Sequence, residues 1–283
     1  MSDDLRPLWD FDDLDATERL FEVRLESEPD EGVRAEILTQ LARVAGLRGD
    51  FDTGERLLRE AEALAAASPR ARMRVELERG RLRRSSGNSA AALPFFVKAY
   101  EQAIAQDEHF IAADAAHMAA LAAEHEDRHR WTERGIEVAE SGTEEARYWL
   151  GPLLNNLGWD LYETNEYEQA LSAFERALAH REETPEDGQA VAIARYAAAK
   201  AKQALNRHDE AASQLRLAIE WTVAEGQPDG WFHEALAESS ATLGRDDEAR
   251  DNARIALSLL PEADPSFAGD ASRIGRLRKL AEA

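Results

Sequence analysis

The chain has 283 residues, with 56 acidic against 34 basic side chains, a formal net charge of −22, 44% hydrophobic residues and no cysteine. The lack of cysteine excludes disulfides, thiol catalysis and Cys-based zinc sites. The charge argues against nucleic-acid binding, which needs a basic surface to neutralise phosphates, and no apolar run approaches the roughly 20 residues of a membrane helix.

The first residues, MSDDLRPLWDFDD, are acidic rather than basic-then-apolar, unlike a secretory signal, so a cytoplasmic location is the expectation. Richness in Ala, Leu, Glu and Arg favours helix throughout, and no alternating Val/Ile/Thr run suggests a sheet. Residues 12–28 read as an amphipathic starter helix with Leu20, Phe21, Val23 and Leu25 as apolar contacts, and Pro29 to Glu31 turn the chain.

Six similar stretches follow: GDFDTGERLLREA (49–61), GNSAAALPFFVKA (87–99), DRHRWTERGIEVA (127–139), NEYEQALSAFERA (165–177), NRHDEAASQLRLA (206–218) and GRDDEARDNARIA (244–256). Each opens on a tight-turn position and ends in Ala at the thirteenth place, at start-to-start spacings of 38, 40, 38, 41 and 38 residues. The fullest copy is LLNNLGWDLYETNEYEQALSAFERAL (153–178), where Gly158, Ala170 and Ala177 are small and Leu157 and Phe174 are large. That alternation lets two antiparallel helices interlock. One such hairpin cannot bury its apolar face alone, which explains the repetition.

Other copies depart from this pattern. The first helix of repeat two carries Arg79 and Arg83 where apolar residues are expected, and repeats three and five replace large residues by Ala, leaving their register open. At the C-terminal end, PEADPSFAGD precedes a helix over 272–283 in which Ser272 is the expected N-cap and Ile274, Leu277 and Leu280 cover the last repeat. The expected organisation is an N-terminal acidic segment and cap (1–34), six repeats (35–260) and a C-terminal cap (261–283).

The repeated motif resembles the tetratricopeptide repeat, in the longer form found in kinesin light chains and bacterial peptide-sensing regulators. The resemblance covers about residues 35–260 and implies an all-α, right-handed α–α superhelix. It also implies a groove lined by the first helix of each hairpin. The family's groove positions carry over to Thr39 and Arg43 in repeat one, and to Arg74, Arg81 and Arg84 in repeat two. They give His117 in repeat three, with Glu124 close by, and Asn155, Trp159 and Tyr162 in repeat four. Repeats five and six contribute Tyr196 and Lys200, then Trp231, Glu234 and Glu238.

Arginine can hold a carboxylate by two parallel hydrogen bonds, and Trp and Tyr offer flat apolar surface with a polar handle. The groove residues singled out as binding are Arg43, Arg81, Arg84, Asn155, Trp159, Tyr162, Tyr196 and Trp231. The implied function is a non-enzymatic scaffold or adaptor for a protein or peptide, needing no cofactor. The alternative is a ligand- or peptide-responsive sensor acting through a partner protein. Self-association is a further expectation, since the acidic N-terminal part and a basic final helix (Arg273, Arg276, Arg278, Lys279) can dock head to tail.

An enzymatic reading rests on residues 125–129, HEDRH, which match the zincin pattern of two His four apart with Glu between. That chemistry needs both His on one helical face. Asp127 is expected at the turn between the two helices of repeat three, which breaks the geometry. Glu144 or Glu145 would have to supply the third ligand.

Overall fold

Short acceptor side chains set where the helices of this protein begin. In the structure, a computed structural model describing residues 5–183 and 187–283, Asp13 caps α1 (Leu14–Ser27) and Asp30 caps α2 (Glu31–Leu47). Asp50 caps α3 (Phe51–Leu64), Ser68 caps α4 (Pro69–Ser85) and Asn88 caps α5 (Ser89–Ile104). In each case a side-chain oxygen accepts a first-turn N–H that the helix itself cannot satisfy. There follow α6 (His109–Ala122), α7 (His125–Ser141), α8 (Glu144–Arg147), α9 (Leu150–Glu163) and α10 (Tyr167–Glu182). The last five are α11 (Gly188–Ala204), α12 (His208–Ala224), α13 (Gly230–Thr242), α14 (Asp246–Ala263) and α15 (Ala271–Glu282). No strand occurs among the described residues. The fold is all-α, as the sequence leads one to expect.

Five of the six anchor stretches share one turn geometry. Their first residues, Gly49, Gly87, Asn165, Asn206 and Gly244, have positive φ. The next residue's N–H then bonds the carbonyl five positions back: Asp50 to Ala45, Asn88 to Arg83, Glu166 to Leu161, Arg207 to Lys202 and Arg245 to Ser240, at 2.8–3.0 Å. This closes the first helix of the hairpin and redirects the chain. Gly and Asn fill the place because they tolerate the left-handed region. The Ala at the thirteenth place is buried in all six stretches, where the two helices of a hairpin approach.

The third hairpin is built otherwise, and this corrects the sequence expectation. Ala123 and Glu124 are extended, and α7 starts at His125. Asp127 therefore lies in the first turn of α7 and not at a turn between helices, and His125 and His129 sit one helical turn apart. Ala123 and Glu124 break α6 without a left-handed residue, so the second helix begins earlier than in the other hairpins.

Two compact units divide the chain, Met1–Leu153 and Leu154–Ala283, with the boundary inside α9. In the first unit α2, α4 and α6 pack side by side, with α3 and α5 lying between successive first helices. Arg79 finds its place here through ion pairs to Glu55 (3.3 Å) and Glu62 (3.0 Å) of α3. In the second unit α9, α11 and α13 carry the corresponding face. Gly158 lies under the Phe174 ring, where a Cβ would come within 2.3 Å, and Gly80 repeats this in unit one against Phe96 at 2.4 Å.

Two details at the ends differ from expectation. On α1, Phe21 is buried and Leu25 packs beside it, but Leu20 and Val23 are 48% and 66% exposed. The buried face follows Thr17, Phe21 and Leu25 at i, i+4 spacing. On α15 the cap is Asp270, which accepts from the Arg273 N–H, and Ser272 lies inside the helix. Leu277 is buried against Ala253, Ala256, Leu260 and Phe267, with Ile274 and Leu280 alongside.

Candidate functional site

The face made by the first helices differs in chemistry between the two units. In unit two it is aromatic. Trp159 and Tyr162 of α9 meet edge to face at 5.5 Å, Trp159 stands over Phe174 at 5.1 Å and faces Tyr196 of α11 at 6.4 Å, and Tyr196 stacks on Phe232 of α13 at 5.0 Å. Beneath them lie the small side chains Ala170, Ala197, Ala198 and Ala201. Small residues beneath leave room for the large rings, and Trp159, Tyr162 and Tyr196 remain only half-buried. Burial, with Glu234 and Asp229 adding like charge, pushes the Tyr196 phenol well above its ordinary value, and burial raises Tyr162 as well. Both phenols are neutral hydrogen-bonding groups at neutral pH.

Asn155 is half-buried on the same helix as Trp159. Trp231 packs against the Ala192–Ala218–Phe232 cluster, with Tyr196 on the same cluster. The acids of repeat six are already engaged. Both oxygens of Glu234 accept from Arg273 Nε (2.7 and 2.9 Å), whose NH1 bonds Asp264 at 2.7 Å. These hydrogen bonds, that to Glu234 first, hold the Arg273 guanidinium above its ordinary value. Lys200 stands 3.9 Å from Glu238 and Arg276 stands 4.0 Å from it. Two of the cations assigned to head-to-tail docking, Arg273 and Arg276, thus face acids of their own unit.

In unit one the same face is charged and partly closed. A cavity of about 210 Å³ lies between α2, α4 and α6, bounded by Arg43, Arg74, Glu78, Arg81 and Asp114 and by the rings of Phe110, Tyr148 and Trp149. Arg81 bonds Glu78 and Asp114. Burial opposes its charge, but the two carboxylates outweigh that and hold it above its ordinary value. Arg74 approaches Glu36 at 3.4 Å. Arg43 is held differently: its guanidinium lies over Trp9 at 5.2 Å and Phe11 at 5.4 Å, and burial together with Arg81 keeps it below its ordinary value. Arg84, on the next turn of α4, has its Nε buried with no hydrogen-bond partner among the described residues. Thr39 is fully buried, donating to the Glu36 carbonyl at 2.6 Å. His117 lies 5.2 Å from Trp149, and burial lowers it to about 4.

Sequence reasoning missed the wall that closes this cavity. Residues Leu5 to Phe11 fold back over α2: Leu5 is buried with Phe21, Ile37 and Leu41, and Trp9 donates its indole N–H to Gln40 at 3.0 Å. The Thr17 hydroxyl pins the segment by accepting from the Asp10 N–H and donating to its carbonyl, both at 2.8 Å. Arg6 lies 3.9 Å over the Tyr148 ring. The signal was present, since four large apolar residues within an acidic stretch have no reason to sit in a solvated tail.

For HEDRH, the described partners are local. Asp127 pairs with Arg130 at 2.6 Å and His129 approaches Glu133 at 3.3 Å; the side chains of His125 and Glu126 lie outside the described residues. Glu144 is almost wholly exposed on α8. No cluster of three potential metal ligands occurs among the described residues, and no helix there is long and apolar enough to cross a membrane.

Residues 149–220 match the family model of the tetratricopeptide repeat. No curated protein matches the chain. Among solved structures, the apo form of RapI aligns with a TM-score of 0.69 at 13% identity, covering 94% of this chain and 79% of that one. A STAND signal-transduction ATPase with a tetratricopeptide repeat sensor, from Pyrococcus horikoshii, also gives 0.69 at 16% identity, over 88% of this chain and 40% of its own. A Rap protein complexed with competence and sporulation factor gives 0.56 at 16% identity, over 95% and 81%. With the shared turn geometry and the glycine-under-ring packing, residues 149–220 carry the tetratricopeptide repeat, and the chain has the helical-hairpin fold of these solved structures.

Proposed function

We propose that the chain is a non-enzymatic binding scaffold that engages a protein or peptide on the first-helix face of unit two. The observation that carries this reading is the run of half-buried rings Trp159, Tyr162 and Tyr196 on α9 and α11. Large aromatic side chains left partly open on a rigid, small-residue floor give contact area with little entropy to lose on binding. Asn155, on the same helix, adds a group able to hydrogen-bond a ligand backbone.

The test is affinity capture with the wild-type chain beside a Trp159→Leu/Tyr162→Ala variant. Leu at 159 keeps cover over Phe174, so that lost capture reports on the rings and not on unfolding. Loss of capture with unchanged helical circular dichroism supports the reading, and equal capture by both overturns it.

A second reading, a sensor that acts through a partner, draws support from the structural likeness to a tetratricopeptide repeat sensor and to a Rap protein bound to a factor. It differs in requiring that ligand binding change the affinity for a second protein. Measuring partner affinity with and without ligand separates the two.

A further inference from the structure

We propose that the cavity of unit one is a second binding site, which takes a single carboxylate on an apolar body against Arg43. Among the charged groups lining it, Arg81 is neutralised by Glu78 and Asp114, and Arg74 lies beside Glu36. Arg43 stands apart: it makes no hydrogen bond or ion pair among the described residues, and its guanidinium lies over the faces of Trp9 and Phe11. A ring face satisfies the flat side of a guanidinium and leaves its N–H edges without acceptors. Arg43 is half-buried and feels Glu78 and Asp114, but burial and the like charge of Arg81 outweigh them, so donors left without an acceptor there favour the arrival of an anion. In a protein of net charge −22, this surplus cation is local and directed.

The shape and chemistry of the cavity narrow the ligand. Its volume of about 210 Å³ suits one or two amino-acid side chains. The rings of Phe110 and Trp149 along the wall favour an apolar or aromatic body. Glu78 and Asp114 sit in the same wall and repel a second negative charge, so a monoanion is preferred to a phosphate. The planar fork of Arg43 matches a carboxylate by two parallel hydrogen bonds. Arg6, lying over Tyr148, adds a second cation beside the same cavity. The ligand can be the C-terminal residue of a peptide or a free aromatic acid, since both present the same group.

The test is saturation-transfer NMR on the full chain with three probes: N-acetyl-phenylalanine, its amide, and the tripeptide N-acetyl-Gly-Gly-Phe with a free C-terminus. The acid should bind at least tenfold more tightly than the amide. Arg43→Gln should reduce the acid to the level of the amide, with a melting temperature close to wild type because Arg43 makes no hydrogen bond or ion pair to lose among the described residues. Arg43→Lys, which keeps the charge without the fork, should fall between them and serves if the Gln variant misfolds. Tighter binding of the tripeptide assigns the site to peptide C-termini, and equal binding assigns it to free acids. Equal binding of acid and amide, absence of binding by either, or an unchanged response in Arg43→Gln overturns the proposal. None of these outcomes touches the rings of unit two, so the two readings fail separately.

Discussion

Units one and two use the same hairpin and turn its inner face to different ends. On the first-helix face of unit one, charge is drawn into the fold, with Arg81 balanced between Glu78 and Asp114 and Arg43 covered by Trp9 and Phe11 without a hydrogen-bonded acid. On that of unit two, rings lie on a floor of alanines, and the ion pairs of Glu234 gather at the C-terminal helix. The scaffold beneath is common to both: glycine under phenylalanine at Gly80–Phe96 and Gly158–Phe174, and buried alanine at the thirteenth place of each stretch. The repeat fixes backbone approach at those small residues and leaves the exposed positions of the first helices free to vary. A fold of this kind identifies itself by its small residues and its function by its large ones.

The sharpest way to break this contrast is Asp114→Ala. It leaves Arg81 with one carboxylate beside Arg43, and removing one partner of a buried pair costs about 3–5 kcal/mol, measurable by urea unfolding. A loss below about 1 kcal/mol would show that the inner face of unit one is wetter than its burial implies.

Acid pH should separate the units next. His117 is held at about 4 in the folded state, below its ordinary value near 6.5. The unfolded chain therefore takes up this proton first, and stability is lost as pH falls from about 6.5 to about 4, by up to about 3 kcal/mol. His117→Gln should flatten that part of the stability curve, and an unchanged slope would count against a buried neutral imidazole.

Gly80→Ala and Gly158→Ala test what the units share. Each places a methyl group within about 2.4 Å of a phenylalanine ring, and overpacking of this kind costs roughly 1–3 kcal/mol. Near-equal losses in melting experiments would support a common scaffold. The smallest effect is expected from Tyr196→Phe, which keeps the stacked ring on Phe232 and removes only a hydroxyl, within about 1 kcal/mol in either direction. A larger change would mean that unit two also depends on a buried polar network.

Much of this scaffold is legible in the sequence because its constraints are steric and local. Five anchor stretches open on Gly or Asn, and those residues take the left-handed turn. The third opens on Asp127, and there the geometry differs: α6 ends in an extended Ala123–Glu124 link, which no single residue type announces. Asp270 and Ser272 are both competent caps two residues apart, so the choice between them lies in backbone geometry. Leu20 and Val23 lie off the i, i+4 line of Thr17, Phe21 and Leu25, which decides the buried face of α1. The return of Leu5 to Phe11 over α2 was hidden by the surrounding aspartates. Its pairing of Trp9 with Gln40 and Arg43 joins residues about thirty positions apart, beyond the reach of local pattern.

The most direct measurement is a parallel capture experiment with three baits: the wild-type chain, Trp159→Leu/Tyr162→Ala in unit two, and Arg43→Gln in unit one. If the aromatic face of unit two is the scaffold's interaction surface, the partner held by wild type is retained by Arg43→Gln and lost by the double variant, with helical content the same in all three. A partner held equally by the double variant and the wild type would contradict that assignment.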